Sequence, residues 1–327
     1  MARDALTVES SEPAAVVSKP RARILAMGGG KGGVGKSFLT ANLAHCFARS
    51  GHRAVAVDAD LEGANLHTCL GVPSPRTGLA DFVAGRQDDL RKLLVETSLS
   101  NLQLIGGTHA NLHQPQPGHS RRVEFLRGLR ALDTDFVLID LGAGTQAATL
   151  DYFLVADMGL LVLHPEPTSV ENAYAFLRAA FYRRLRLAVL GHDVRSLIRE
   201  VVDQRNERGV RNPQDLLREI ERIDPVEGRR VAQTMQKFKP RIVINDVKRE
   251  EDVTLGFEVA SVCRKYFGFE AEYLGYVNHD EAVRQSVNLG RPLVDYLEDS
   301  EASSYLRRIA RKIVGSLAET GLPGAQS

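Results

Sequence analysis

Cysteine is scarce in this chain. Cys46, Cys69 and Cys263 are odd in number, far apart and include no C-x-x-C pair, which excludes a disulfide framework and a cysteine-rich metal site. Excess charge is missing too: the formal net charge is +1, so nucleic acid or an anionic membrane would have to be met through a local patch. No apolar run approaches the roughly 20 residues that span a bilayer. Residues 1–22 lack the basic segment followed by an apolar stretch that marks a signal peptide, and they read as a flexible N-terminal tail. Together these absences point to a reducing cytoplasm.

What the chain does have is 327 residues, enough for a sizeable core, and a regular alternation of short apolar runs with helical patterns. Ile24–Met27, Ala54–Val57, Leu102–Ile105, Phe136–Ile139, Gly159–Leu163, Arg241–Ile244 and Tyr273–Val277 read as buried strands. Each ends in a polar or glycine-bearing signature. A helix runs from Lys36 to about Ser50, with Leu39, Leu43 and Phe47 on one face and Gly51 closing it. All-apolar strands separated by helices imply an α/β fold with a mostly parallel, doubly wound sheet covered on both faces. Ligands of such sheets collect at the C-terminal ends of the strands. From about 185 to 240 the rhythm changes to three helix patterns, two of them starting at Asn212-Pro213 and Asp224-Pro225, which are good helix-start signals. This stretch reads as an α-helical insertion in a domain spanning 23–298, followed at 299–327 by a C-terminal helix and tail.

The strongest motif is Gly30-Lys31-Gly32-Gly33-Val34-Gly35-Lys36-Ser37, a G-x-x-x-x-G-K-[ST] loop between an apolar strand and an amphipathic helix. Here glycines let backbone N–H groups surround a β-phosphate, and the helix N-terminus adds partial positive charge. Lys36 should hold the β- and γ-phosphates, with the Ser37 hydroxyl on Mg²⁺. The expected cofactors are therefore ATP or ADP with Mg²⁺. Nucleotide contacts should run through Gly30, Lys31, Gly32, Gly33, Val34, Gly35, Lys36, Ser37 and Phe38.

Simple phosphate binding does not need Lys31. With it, the loop resembles that of the MinD/ParA family of P-loop ATPases, K-G-G-x-G-K-[ST]. The resemblance implies an ATP-dependent homodimer in which Lys31 reaches the partner's phosphates, so that Lys31, Lys36 and Asp60 form the catalytic set. Asp60, in Asp58-Ala59-Asp60-Leu61-Glu62-Gly63-Ala64-Asn65-Leu66, matches the switch I aspartate that orients water near Mg²⁺. Asp58 is either a supporting group or merely structural. Asp140, after Phe136–Ile139, is a Walker-B carboxylate, and the metal set is Ser37, Asp60 and Asp140. Gly142-Ala143-Gly144 resembles switch II, with the Gly144 amide sensing the γ-phosphate. Asn245 stands where relatives contact adenine, or else it caps the following turn. Tyr276–Asp280 replaces the family's usual Ile-Pro segment beside the base.

The switch I wording and Pro165-Glu166-Pro167-Thr168-Ser169-Val170-Glu171-Asn172-Ala173-Tyr174 resemble the MinD/FlhG (FleN) branch. Its members regulate the placement or number of flagella or division machinery. The tail before Arg23 lacks the glutamine- and leucine-containing motif of FlhG, and the insertion is longer than usual. The expected function is a slow, partner-stimulated ATPase acting as a nucleotide switch, with a regulatory protein as partner. The alternative is a ParA-like DNA-segregation ATPase, but nucleic acid is the less favoured partner because acids interleave with Arg205, Arg208, Arg211, Arg229 and Arg230. An iron–sulfur carrier is disfavoured by the cysteines. In the last helix Tyr305, Leu306, Ile309, Ile313 and Leu317 share a face beside Arg307, Arg308, Arg311 and Lys312. That face either packs on the core or makes regulated contact with a membrane surface.

Overall fold

Alternate residues of each apolar run project to opposite sides of the sheet, and in this chain both sides are buried. Ile24, Ala26, Val137, Ile139, Leu161 and Leu163 enter one core cluster. Leu25, Met27, Phe136, Leu138, Leu160 and Val162 enter a second on the other face. This arrangement is why the strands show no polar alternation. The structure, a computed structural model, describes residues 21–107, 117–202, 210 and 212–319. Residues 1–20 of the N-terminal tail, Arg205, Arg208 and Arg211 of the insertion, and the chain beyond Glu319 lie outside the described residues.

The strands are β1 (Arg23–Gly28), β2 (Ala54–Ala59), β3 (Leu94–Glu96), β4 (Leu102–Ile105), β5 (Phe136–Leu141), β6 (Met158–Leu163), β7 (Arg241–Val247) and β8 (Glu272–Asn278). They form one eight-stranded sheet in the order β3-β4-β2-β5-β1-β6-β7-β8, parallel except for the β3–β4 pair. The sheet is thus the doubly wound, mostly parallel one expected. The three-residue edge strand β3 had no legible signal, because it is too short to show a period and is only partly buried. Strand β1 lies between β5 and β6, so the loop after it opens at the middle of the sheet. In the β2–β5 pairing Asp58 stands opposite Asp140, which puts two carboxylates side by side at the C-terminal edge.

Between β6 and β7 lies the insertion, formed by helices His192–Val202, Pro213–Ile223 and Pro225–Gln236. The expected starts are present. The Asn212 side chain accepts a hydrogen bond from the Asp215 amide (2.9 Å), and Asp224 accepts from the Val226 and Glu227 amides. Leu197, Ile198, Leu216, Ile220, Val231 and Met235 join the first core cluster, so the insertion packs on the sheet rather than standing apart. Three of its arginines turn to nearby acids, Arg218 to Asp215, Arg222 to Glu219 and Arg230 to Glu227, while Arg195 and Arg199 donate to backbone carbonyls.

Helix Glu301–Glu319 lies on the opposite face beside Lys36–Arg49, with Leu306, Ile309, Ile313 and Leu317 all buried in the second core. Lys312 Nζ donates to the Leu274 carbonyl of β8 (2.6 Å), and Tyr305 shares a hydroxyl–hydroxyl bond with Tyr276 (2.9 Å). Each buried Leu or Ile contributes about 1.5–3 kcal/mol. Moving this face from the core to a bilayer would only exchange one apolar environment for another. In the structure this face packs on the core. Among the described residues no helix is long and apolar enough to cross a membrane.

Candidate nucleotide-binding site

At the end of β1 the chain has to turn and start a helix with its N–H groups facing a common centre. Gly35, at the N-cap of Lys36–Arg49, has φ +89°, a left-handed conformation that side-chain-bearing residues rarely adopt. A Cβ there would lie 2.2 Å from Asn245 Nδ2. Gly30 has a different constraint, since a Cβ would meet the Asn172 carbonyl oxygen at 1.9 Å. The loop is therefore wedged between helix Pro167–Ala188, which carries Asn172, and the end of β7, while Gly32 and Gly33 stay exposed. Val34 and Phe38 bury their side chains in the core and offer only backbone groups to a ligand.

Lys36 is buried at 7% exposure, and its charge acts on the carboxylate of Asp140. The Ser37 side chain, close to Asp140, favours the charged form of that carboxylate. Asp140 is fully enclosed, and its Oδ1 has no hydrogen-bond partner. Burial pushes the Asp140 carboxyl well above the usual carboxylate range, and the neighbouring Asp58 and Asp60 add to the shift. Burial raises Asp58 as well, against backbone hydrogen bonds from Leu66 and Asp60 that favour its charged form. An orphaned buried oxygen on Asp140, close to Ser37 and under the negative charge of Asp58 and Asp60, fits a hard divalent cation such as Mg²⁺. Of the expected set Ser37, Asp60 and Asp140, the residues that would hold it directly are Ser37 and Asp140, because Asp60 Oδ1 is taken up by the Gly63 amide (2.9 Å).

Switch I is organised by Asp58, whose Oδ1 accepts from the Asp60 amide (3.2 Å) and Oδ2 from the Leu66 amide (3.0 Å). Asp58 thus holds the turn from Asp60 to Leu66 through two backbone amides. Asp60 Oδ1 accepts from Gly63 N–H (2.9 Å), and a Cβ on Gly142 would lie 3.3 Å from the same oxygen. Switches I and II therefore touch, and Gln146 Nε2 donates across them to Glu62 (3.3 Å). A cavity of about 290 Å³ lies between them, with Asp60, Gly63, Gly142 and Ala143 in its wall. Gly144 has φ +87° in the same turn.

Two predicted residues make contacts that sequence reasoning did not foresee. Lys31 is exposed, and its Nζ lies 3.5 Å from Glu166 and 3.3 Å from the Thr168 hydroxyl. The segment that hinted at the family branch is thus also the lysine's neighbour within the same chain. Asn245 donates from Nδ2 to the Val34 carbonyl (3.1 Å), bracing the phosphate loop rather than capping the following turn. The residue after it, Asp246, has φ +62° and accepts from His279 Nδ1 (2.5 Å). The His279 amide bonds the Val247 carbonyl (2.8 Å), so the β7 and β8 ends are tied without the proline usual in relatives. No sequence signal announced that tie.

Comparison with known proteins agrees with this geometry. The family model described as "CobQ/CobB/MinD/ParA nucleotide binding domain" matches residues 25–293, and the chain belongs to that family. It is 26% identical over 295 residues to the antiactivator FleN of Pseudomonas aeruginosa, covering 89% of this chain and 86% of FleN. The septum site-determining protein MinD of Pyrococcus horikoshii, solved with Mg-ADP, shares the fold with a TM-score of 0.63 at 20% identity, over 92% of this chain and 99% of that one. MinD in the MinC:MinD complex of Aquifex aeolicus has a TM-score of 0.60 at 20% identity, over 93% and 99%.

Proposed function

We propose that this protein is a Mg²⁺-dependent ATPase that pairs around ATP and uses its nucleotide state to control a protein partner in spatial regulation. The observation that carries this reading is the Ser37–Asp140 pair with its orphaned carboxylate oxygen, next to buried Lys36 at the mouth of the loop.

In this mechanism, backbone N–H groups of Gly32 to Ser37 bind the β-phosphate, and Lys36 bridges the β- and γ-phosphates. Mg²⁺, when bound by Ser37 and Asp140, neutralises charge that builds on the phosphate oxygens. Asp60 orients the attacking water. Its Oδ1 is fixed by Gly63, and among the described residues its Oδ2 has no protein hydrogen bond, leaving it for water. The amide of Gly144 senses the γ-phosphate, and Asn245 bears on the adenine side of the loop. Lys31, exposed beside Glu166 and Thr168, exchanges these neighbours for the phosphates of a second subunit. The septum site-determining MinD relatives and the antiactivator FleN support a regulatory role, in which a partner protein sets the rate.

Light scattering with and without Mg-ATP, together with phosphate release, tests the scheme. Asp60→Ala should keep the ATP dimer and lose most turnover, whereas Lys31→Ala should bind ATP and remain monomeric. Wild-type turnover in Asp60→Ala would remove the water-orienting role, and an ATP dimer of Lys31→Ala would remove the lysine exchange.

A further inference from the structure

An unexplained feature lies at the other end of the phosphate-loop helix, about 20 Å from Lys36 by the rise of an α-helix. There a cavity of about 520 Å³ opens between the end of Lys36–Arg49 and helix Glu301–Glu319. That volume lies within the range of small-molecule pockets. Its floor is apolar, made by Cys46, Phe47, Ala310 and Val314, and its rim carries Arg49, Arg307 and Arg311. Glu298 is the sole acid among the lining residues.

The cations differ in how they are held. Arg307 is anchored, donating to the Glu298 carbonyl (2.7 Å) and to Ser304 Oγ (3.2 Å). Arg49 and Arg311 are exposed, and among the described residues neither has an ion-pair partner. Deeper in the wall, His45 is only 6% exposed, and its Nε2 has no hydrogen-bond partner. Asp295 Oδ1 is 4.0 Å from that nitrogen, beyond hydrogen-bond range, and Asp295 is already engaged by Arg291 (2.7 Å). Burial holds the His45 pKa down, so at neutral pH the orphaned imidazole is uncharged. Buried polar atoms without partners are uncommon in folded proteins and call for a reason.

The lining selects the ligand chemistry. Among the described residues no group of three or more His, Cys, Asp and Glu is placed to hold a metal ion. A neutral apolar ligand would cover the floor and leave the arginines unmatched. A bare anion would match the arginines and leave the floor in water. We infer that this cavity binds a small soluble anionic amphiphile, a carboxylate or phosphate monoester on a short apolar chain. The anion lies between Arg49 and Arg311, and the chain lies over Phe47, Ala310 and Val314. The site is independent of the nucleotide reading, since none of its residues belongs to the phosphate loop or the switches.

Calorimetric titration of the full chain with octyl phosphate, kept below its micelle concentration, tests the assignment. Inorganic phosphate and 1-octanol serve as half-ligands, and anionic vesicles as the membrane arm. Saturable binding of one octyl phosphate is expected, with a shift of the His45 ring-nitrogen NMR signals. Affinity should fall about tenfold or more in Arg49→Gln/Arg311→Gln, because charge-assisted hydrogen bonds are lost, and again in Val314→Phe, which fills the cavity. Wild-type ATP binding by both variants would show that the fold is intact, so a failure here is distinct from a failure at the nucleotide site. The proposal is overturned by absence of saturable binding, by an unchanged affinity in the arginine variant, or by equal binding of either half-ligand. Vesicle capture without octyl phosphate binding would overturn it as well.

Discussion

Asp140 is a carboxylate that the fold holds under stress. It is enclosed, has one oxygen without a partner and faces Asp58 on the adjacent strand. Its pKa in the folded state is raised, so the folded protein binds more protons than the unfolded one above the normal carboxylate range, near pH 4. Stability of the nucleotide-free protein should therefore decline as pH rises from about 4 through neutrality. Asp140→Asn removes the buried charge. In the absence of metal it should raise stability at pH 8 by about 1–3 kcal/mol, while losing Mg²⁺-dependent ATP binding. Thermal melts at pH 5 and pH 8 check the first effect: equal melting shifts at the two pH values would mean that the carboxylate is not the strained group.

Among the elements, the insertion depends on its helix starts. Asp224 ends helix Pro213–Ile223, and its side chain also caps Pro225–Gln236 through two amides. A single residue thus sets the angle between consecutive helices that both reach the first core cluster. Asp224→Ala should cost about 1–2 kcal/mol, since an N-cap carboxylate is lost at a helix junction. Urea unfolding measures this, and a change below a few tenths of a kcal/mol would indicate that packing alone fixes the junction. Helix Glu301–Glu319 makes the opposite point. Its amphipathic pattern suits a core helix and a surface-seeking one alike, and only the structure shows Leu306, Ile309 and Ile313 buried.

For the molecule as a whole, the site sits where β1, β2, β5 and β7 deliver their C-terminal ends to one place. Ligand binding should therefore stabilise the entire sheet rather than a single loop. Mg-ATP at about 100 times its Kd should add about 2.7 kcal/mol by mass action. ATP with EDTA should add much less, because Asp140 keeps its uncompensated surroundings. Scanning calorimetry of the wild type and of Lys36→Ala tests this, and an equal shift in the two would show that the loop lysine does not bind nucleotide.

The local chain alone settled much of this. The strand-loop-helix at Gly28–Ser37, the carboxylate after Phe136–Ile139 and the proline-started helices at Pro213 and Pro225 were legible because each depends on residues adjacent in sequence: glycine conformations, apolar runs and caps. The pairing of Asp58 with Asp140, the bracing of Val34 by Asn245, the Lys31–Glu166 contact and the orphaned His45 were not legible. Each joins residues that strand order or helix packing brings together from distant parts of the chain, and local periodicity carries no record of which distant group will be the neighbour. Tertiary structure also assigned the last helix to the core, because an amphipathic pattern specifies that one face will be covered but not what will cover it.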